Sequence, residues 1–289
     1  MPVLIVASSE SGAGKSLVAA ALAYRLGREG KAVMLGRLAG DDGAERDAAA
    51  FARLDGIQTA GRPLTADDLK TQAGQDVILE APAGPVAGVA KKLGARVLGV
   101  ATPVSPPLDV TGDALAGTIV TRAPAADASR IVARQGVLCV LPEDRVLAAP
   151  SVADIASSIN ARWLTKADGS DSIDRVMIGT IASDAASPYF AARDRKCVVT
   201  RYDKTDVQLA ALLTDVEMLV LTGGGEPSPY LLDRVAGTRD DISVVVVEED
   251  TVDAMRAIEG LYGASRFEGN GKMLRAVELL DEAGCPSPL

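Results

Sequence analysis

The run SESGAGKS, Ser9 to Ser16, brings a lysine, a hydroxyl and two glycines together in an order suited to holding phosphate. It follows the apolar stretch Val3 to Ala7 and opens an alanine-rich segment to about Arg28, with Leu17, Ala21, Leu22 and Leu26 at helical spacing. Strand, loop and helix in that order put a helix N-terminus behind the loop, where backbone N–H groups and the helix dipole favour an anion. In this reading Ser11, Gly12, Ala13 and Gly14 cradle nucleotide phosphates, Lys15 reaches the β- and γ-phosphates, and the Ser16 hydroxyl ligates magnesium. The usual pattern has glycine where Ser9 stands, and Gly12 and Gly14 supply the unusual backbone angles instead.

A chain with no histidine cannot build a Ser-His-Asp or Cys-His nucleophilic site, a His-ligated metal centre, or a glutaminase that needs a Cys-His pair. Proton transfer is left to carboxylates, lysine, tyrosine or substrate. The formal net charge of −9 and an aromatic content of 3% leave neither a basic stripe nor stacking rings, which argues against nucleic acid and for a small-molecule partner. No stretch approaches the length of a membrane span, and the first apolar run lacks a basic flank, so a cytoplasmic protein is expected. Cys139, Cys197 and Cys285 are widely spaced and odd in number, which reads as reduced thiols, two of them in strands.

At 289 residues two units are expected. Short apolar runs at Val3–Ala7, Ala32–Leu35, Val77–Leu79, Val97–Ala101, Thr118–Val120 and Val137–Leu141 alternate with helical patterns, the mark of a parallel α/β sheet. Ser151 with Asp154 forms a capping box for a helix to about Trp163. The polar, Gly-containing segment that follows, 166–174, reads as a linker after a first domain of 1–165. A smaller α/β domain is expected over 175–268, with strands at Val176–Ile181, Cys197–Thr200, Met218–Leu221 and Ile242–Val247, then a helix or tail over 269–289. Ligands of such sheets sit beyond the carboxyl ends of the strands. Two loops there carry the second set of candidates: Asp203, Lys204 and Thr205 in one, Thr222, Gly223, Gly224 and Gly225 in the other. Ser228-Pro229 and Asp250 read as helix caps.

Three segments, SESGAGKS, LCVLPEDRVLAAPSV (Leu138 to Val152) and TRYDKTDVQLAALLTDVEMLVLTGGGEPSPYLL (Thr200 to Leu232), resemble the N-terminal half of long phosphotransacetylases and their free-standing relatives. In that family a P-loop domain similar to dethiobiotin synthetase precedes a DRTGG domain; here the acidic-basic pair is Asp203-Lys204 rather than Asp-Arg. No transacetylase domain is present in these residues, so the resemblance does not carry acetyl transfer with it. It implies magnesium from Ser16 with Glu80, in DVILEAPAG, and Asp47, in ERDAAAF. It also implies an acidic-group or phosphate contact at Arg37; Thr121-Arg122 stands where that family often has an Asn-containing adenine contact, which leaves base preference open. The implied protein is a Mg-ATP-binding homodimer whose second domain senses an anionic metabolite or nucleotide, or mediates assembly. An ATP-dependent ligase that activates a carboxylate or carbamate, and a scaffold without enzymatic activity, remain as alternatives.

Overall fold

The computed structural model describes residues 2–71, 74–167, 172–180, 183–238, 241–264 and 266–289. The strands are β1 (Val3–Ala7), β2 (Val33–Leu38), β3 (Gln58–Leu64), β4 (Asp76–Glu80), β5 (Arg96–Ala101), β6 (Leu115–Ala123), β7 (Val137–Pro142), β8 (Arg162–Thr165), β9 (Arg175–Ile178), β10 (Lys196–Arg201), β11 (Val216–Thr222) and β12 (Ser243–Val246). The helices are α1 (Lys15–Arg28), α2 (Ala44–Phe51), α3 (Ala87–Leu93), α4 (Ala128–Val132), α5 (Arg145–Ala148), α6 (Val152–Ser158), α7 (Ser183–Ala191), α8 (Thr205–Leu212), α9 (Pro229–Thr238), α10 (Thr251–Glu259) and α11 (Asn270–Glu282). They divide into one compact unit of Met1–Leu147 with Gly269–Leu289, and a second of Ala148–Glu268.

The first unit is a parallel seven-stranded sheet in the order β3-β2-β4-β1-β5-β6-β7. β1 lies between β4, in register Val6 to Glu80, and β5, in register Ala7 to Gly99. Its residues are all buried, as a central strand covered on both faces must be. The order of addition changes sides around β1, so the crevice favoured for ligands in such sheets opens where the loop after β1 begins. One face buries Val3, Ile5, Met34, Val77, Leu79 and Val97 together. α1 is rich in alanine, a strong helix former, and packs on β1, β2 and β4 and on α11.

The C-terminal helix thus belongs to the first unit. Its end is fastened by an Arg25 bond to the Cys285 carbonyl at 2.9 Å, among others, and by a disulfide from Cys285 to Cys139 in β7. This corrects the expectation of three reduced thiols: pairing of residues 146 apart is made by the packing of α11 and carries no local sequence signal. Cys197 is free, and burial pushes its thiol pKa up to about 12.

The second unit has the order β8-β12-β11-β10-β9, parallel except for β8. One face packs Phe190, Val207, Ala211, Leu231 and Val235 of α7, α8 and α9 on Val198, Leu219 and Val244. The other packs Val152, Ile155, Ala254 and Ile258 of α6 and α10 on Cys197, Val199, Met218, Val220 and Val245. The capping box of α6 forms as expected, Ser151 Oγ accepting from the Asp154 N–H and Asp154 from the Ser151 N–H.

Here the expected boundary at 165/166 differs from the structure. α6 ends at Ser158 instead of running to Trp163, Asn160 takes a left-handed φ of 46°, and Arg162–Thr165 returns as the antiparallel edge strand β8. α6 covers a face of the second sheet, so the unit begins at Ala148. Within the expected linker, residues 168–171 lie outside the described residues. The remainder is bound into the second unit: the Ala167 N–H donates to Ser243 Oγ at 3.2 Å, Ser172 bridges to Ser151, and Ile173 is fully buried. Strand β3 also went unread, because an edge strand of sequence QTAGRPL has no apolar run.

Candidate functional site

The loop between β1 and α1 has unusual backbone at both of its glycines. Gly12 and Gly14 hold left-handed backbone at φ 78° and 91°, and Gly14 is the cap from which α1 starts without any side-chain cap. Among the described residues, the backbone N–H groups of Ser11, Gly12, Gly14, Lys15 and Ser16 have no protein hydrogen-bond acceptor. A series of unpaired donors at the start of a 14-residue helix is a concentrated positive potential. Lys15 is only 7% exposed and donates from Nζ to Ser8 Oγ at 2.8 Å. Burial lowers its pKa, against the pull of Glu80. Ser8 was not singled out in the sequence, and its position just after a buried strand is the only signal it gives.

Ser16 leads to a buried ionic cluster at the carboxyl ends of β2 and β4. Its hydroxyl donates to Glu80 Oε1 at 2.9 Å, while Glu80 Oε2 is buried without a hydrogen-bond partner, 3.9 Å from Arg37 Nε. Glu80 and Arg37 are each 3% exposed. Burial raises the Glu80 pKa to about 7, with Arg37, Lys15 and Ser16 pulling it back.

Arg37 is not a surface residue with a free guanidinium. It donates from Nε to Asp47 at 3.1 Å, from Nη1 to the Leu38 carbonyl at 2.6 Å, and from Nη2 to Asp41 at 2.6 Å. Burial works against its charge, but Glu80, Asp41 and Asp47 outweigh burial and raise its pKa. The structure therefore brings Lys15, Ser16, Glu80, Arg37 and Asp47 together, adds Asp41 to them, and commits Arg37 to the chain's own acids. Two neighbouring strands brace the loop. Glu10 accepts hydrogen bonds from Ser105 and Thr102 after β5, and Thr121 at the end of β6 donates from Oγ1 to the Ala13 carbonyl at 2.7 Å.

The second pair of loops also meets, with its donors paired. The Tyr202 N–H donates to the Thr222 carbonyl at 3.0 Å, and a Cβ on Gly225 would fall 2.2 Å from the Tyr202 ring. Gly223 and Gly224 have φ 92° and 69°, and their N–H groups donate to the carbonyls of Glu249 and Val247, both at 2.9 Å. A Cβ on Gly224 would lie 2.3 Å from Glu248 Oε2. Thr222 is fully buried, sharing a 2.8 Å hydroxyl contact with Thr251.

Asp203 is exposed and doubly bonded to Arg201, which lowers its pKa. Lys204 is exposed at the start of α8, and Thr205 is half-buried as its first residue. Buried Gln208 ties the Arg201 and Tyr202 carbonyls from below, a role that spacing alone did not reveal. Among the described residues, no group of three or more acidic or cysteine residues is arranged to hold a metal, and no helix is long and apolar enough to cross a membrane.

The DRTGG domain family matches residues 154–261. A crystal structure of the CBS and DRTGG domains of the regulatory region of Clostridium perfringens pyrophosphatase, complexed with the activator diadenosine tetraphosphate, is 17% identical with a TM-score of 0.35. That likeness covers 44% of this chain, which spans only 56% of that chain's length. The family match begins inside α6 and ends just after α10, within the second compact unit. The chain therefore carries a DRTGG domain, over residues 154–261, in addition to a parallel seven-stranded α/β unit.

Proposed function

We propose that the first unit binds the phosphates of magnesium-ATP at Ser11–Ser16, and that the DRTGG domain serves it as a ligand-sensing or assembly module, making the chain a regulatory switch. The observation that carries this reading is the set of unpaired N–H groups on Ser11, Gly12, Gly14, Lys15 and Ser16 at the start of α1, beside the buried Lys15 ammonium. The loop needs acceptors for these donors, water serving the exposed Ser11 and Gly12, and a counter-charge for the buried Lys15 ammonium. Phosphate oxygens meet both needs, and Lys15, held by one bond to Ser8, keeps two donors for them.

The donors near Ser16 also suit magnesium, which takes hard oxygens and few carboxylates. The Ser16 hydroxyl and Glu80 carboxylate are in contact, and Glu80 Oε2 is buried and unpartnered. Ser16 and Glu80 would hold the ion, with Asp47 beside them through Arg37. The ion would neutralise charge on the phosphates. The ligase alternative requires a basic group for an acidic substrate, and Arg37 is already bonded to Asp41, Asp47 and Leu38.

Calorimetric titration with ATP or GTP and magnesium at millimolar concentration tests the proposal. Lys15→Ala should weaken binding by about 1.5 to 3 kcal/mol, the value of a charge-assisted contact. A folded wild type that gives no heat with either nucleotide refutes it.

A further inference from the structure

We propose that Thr121 is the positioning residue of the phosphate loop, its hydroxyl fixing the Ala13–Gly14 peptide so that the Gly14 N–H faces the phosphates. The inference rests on the phosphate-binding reading above and gives this position a role in the loop, where the family resembled often has an Asn-containing adenine contact.

Three observations carry it. Thr121 is buried, and its Oγ1 donates to the Ala13 carbonyl at 2.7 Å, across 108 residues of sequence. The Ala13–Gly14 peptide is trans, so the Ala13 carbonyl and the Gly14 N–H point in opposite directions across one planar unit. Anchoring that carbonyl on β6 turns the N–H the other way, and this is one of the donors that no protein acceptor satisfies. Gly14 lies against the same side chain: a Cβ there would come within 3.6 Å of Thr121 Cγ2. The methyl and the hydroxyl of Thr121 thus seat consecutive residues immediately before Lys15.

The third observation is how β6 ends. Its register to β7 passes from Val120↔Val140 to Ala123↔Pro142, so β6 holds one residue more than its partner across this step. The extra residue lies at Thr121-Arg122, where Arg122 takes a left-handed φ of 53°. Such a bulge re-aims side chains, and a non-glycine residue in left-handed backbone persists only where its surroundings enforce it. The distortion falls on the residue that bonds the loop and on its neighbour, at the carboxyl edge where the loop begins.

The test compares Thr121→Val, which keeps the shape and loses the donor, with Thr121→Ser, which keeps the donor. Each is titrated with magnesium-ATP and with magnesium-tripolyphosphate, a probe that has no base. Thr121→Val should weaken both ligands by the same factor, about 5- to 10-fold for one hydrogen bond, and Thr121→Ser should restore most of the affinity. Thermal melting checks the fold, and Thr121→Ala, which adds no clash, should lose the same factor if the valine variant melts early. Weakening of ATP with tripolyphosphate unchanged would make Thr121 a base contact and overturn the inference, as would unchanged affinity for both. Those outcomes leave the phosphate site standing, whereas a wild type that binds neither probe removes both readings.

Discussion

Two glycine-rich loops lie at carboxyl edges of parallel sheets in this chain, and they use their glycines in opposite ways. In the loop of Ser9–Ser16, left-handed Gly12 and Gly14 leave a set of N–H groups without acceptors, and a Cβ on Gly12 would meet nothing within 4 Å. In the loop of Thr222–Gly225, left-handed Gly223 and Gly224 donate their N–H groups to carbonyls after β12, and Gly225 makes room for the Tyr202 ring. The first loop holds donors open; the second closes its own and serves close packing. Glycine content reports that the backbone is unusual. Which groups remain unpaired afterwards decides whether it is a site.

Substitutions at the two loops should therefore separate stability from binding. Gly225→Ala forces a Cβ into an aromatic ring at 2.2 Å and should destabilise the chain by about 3 kcal/mol in denaturant titration, with magnesium-ATP affinity unchanged. Gly12→Ala meets no neighbour, and left-handed backbone should cost it only about 1 kcal/mol of stability. Its effect should appear in nucleotide affinity instead. The opposite pattern would reverse the assignment of the two loops.

The charge cluster beside the first loop gives the next effect, on pH. Burial keeps Glu80 protonated to about pH 7 in the folded chain, against an ordinary value of 4.5. Between those values the folded state binds more protons than the unfolded state, so stability should fall as pH rises from about 4.5 to 7, by up to about 3 kcal/mol. Asp68, Asp109 and Asp203 are held below the ordinary aspartate range, so their contributions are flat above about pH 5, and no histidine titrates in this window. Glu80→Gln should flatten the melting temperature between pH 5 and 7, and a slope unchanged in that variant would place the titrating group elsewhere. The smallest effect belongs to the second loop's exposed pair: Asp203→Ala should leave both the melting temperature and nucleotide affinity unaltered, since an exposed ion pair contributes little.

Local chemistry was legible in the sequence where one segment contains both the residues and their supports. Strand β1, helix α1 from Lys15 to Arg28, the Ser151–Asp154 capping box and the Asp250 cap all form where spacing puts them. What was not legible depends on partners distant in the chain. Arg37 reads as a surface base until Asp41, Asp47 and Glu80 close around it. Gly225 reads as a flexible turn until the Tyr202 ring lies against it. α6 and β8 read as the end of the first domain because they precede a polar segment, yet they cover and extend the second sheet. Cys139 and Cys285 carried no sign of each other, because only the docking of α11 brings their Cα atoms to 5.2 Å.

Amide hydrogen exchange with and without magnesium-ATP tests the contrast between the loops most directly, because the claim concerns which backbone N–H groups take phosphate. The account predicts slower exchange at Ser11–Ser16 when the nucleotide is present, loss of that protection in Lys15→Ala, and no change at Thr222–Gly225. Unchanged exchange at Ser11–Ser16 under saturating nucleotide, or protection confined to Thr222–Gly225, would contradict it.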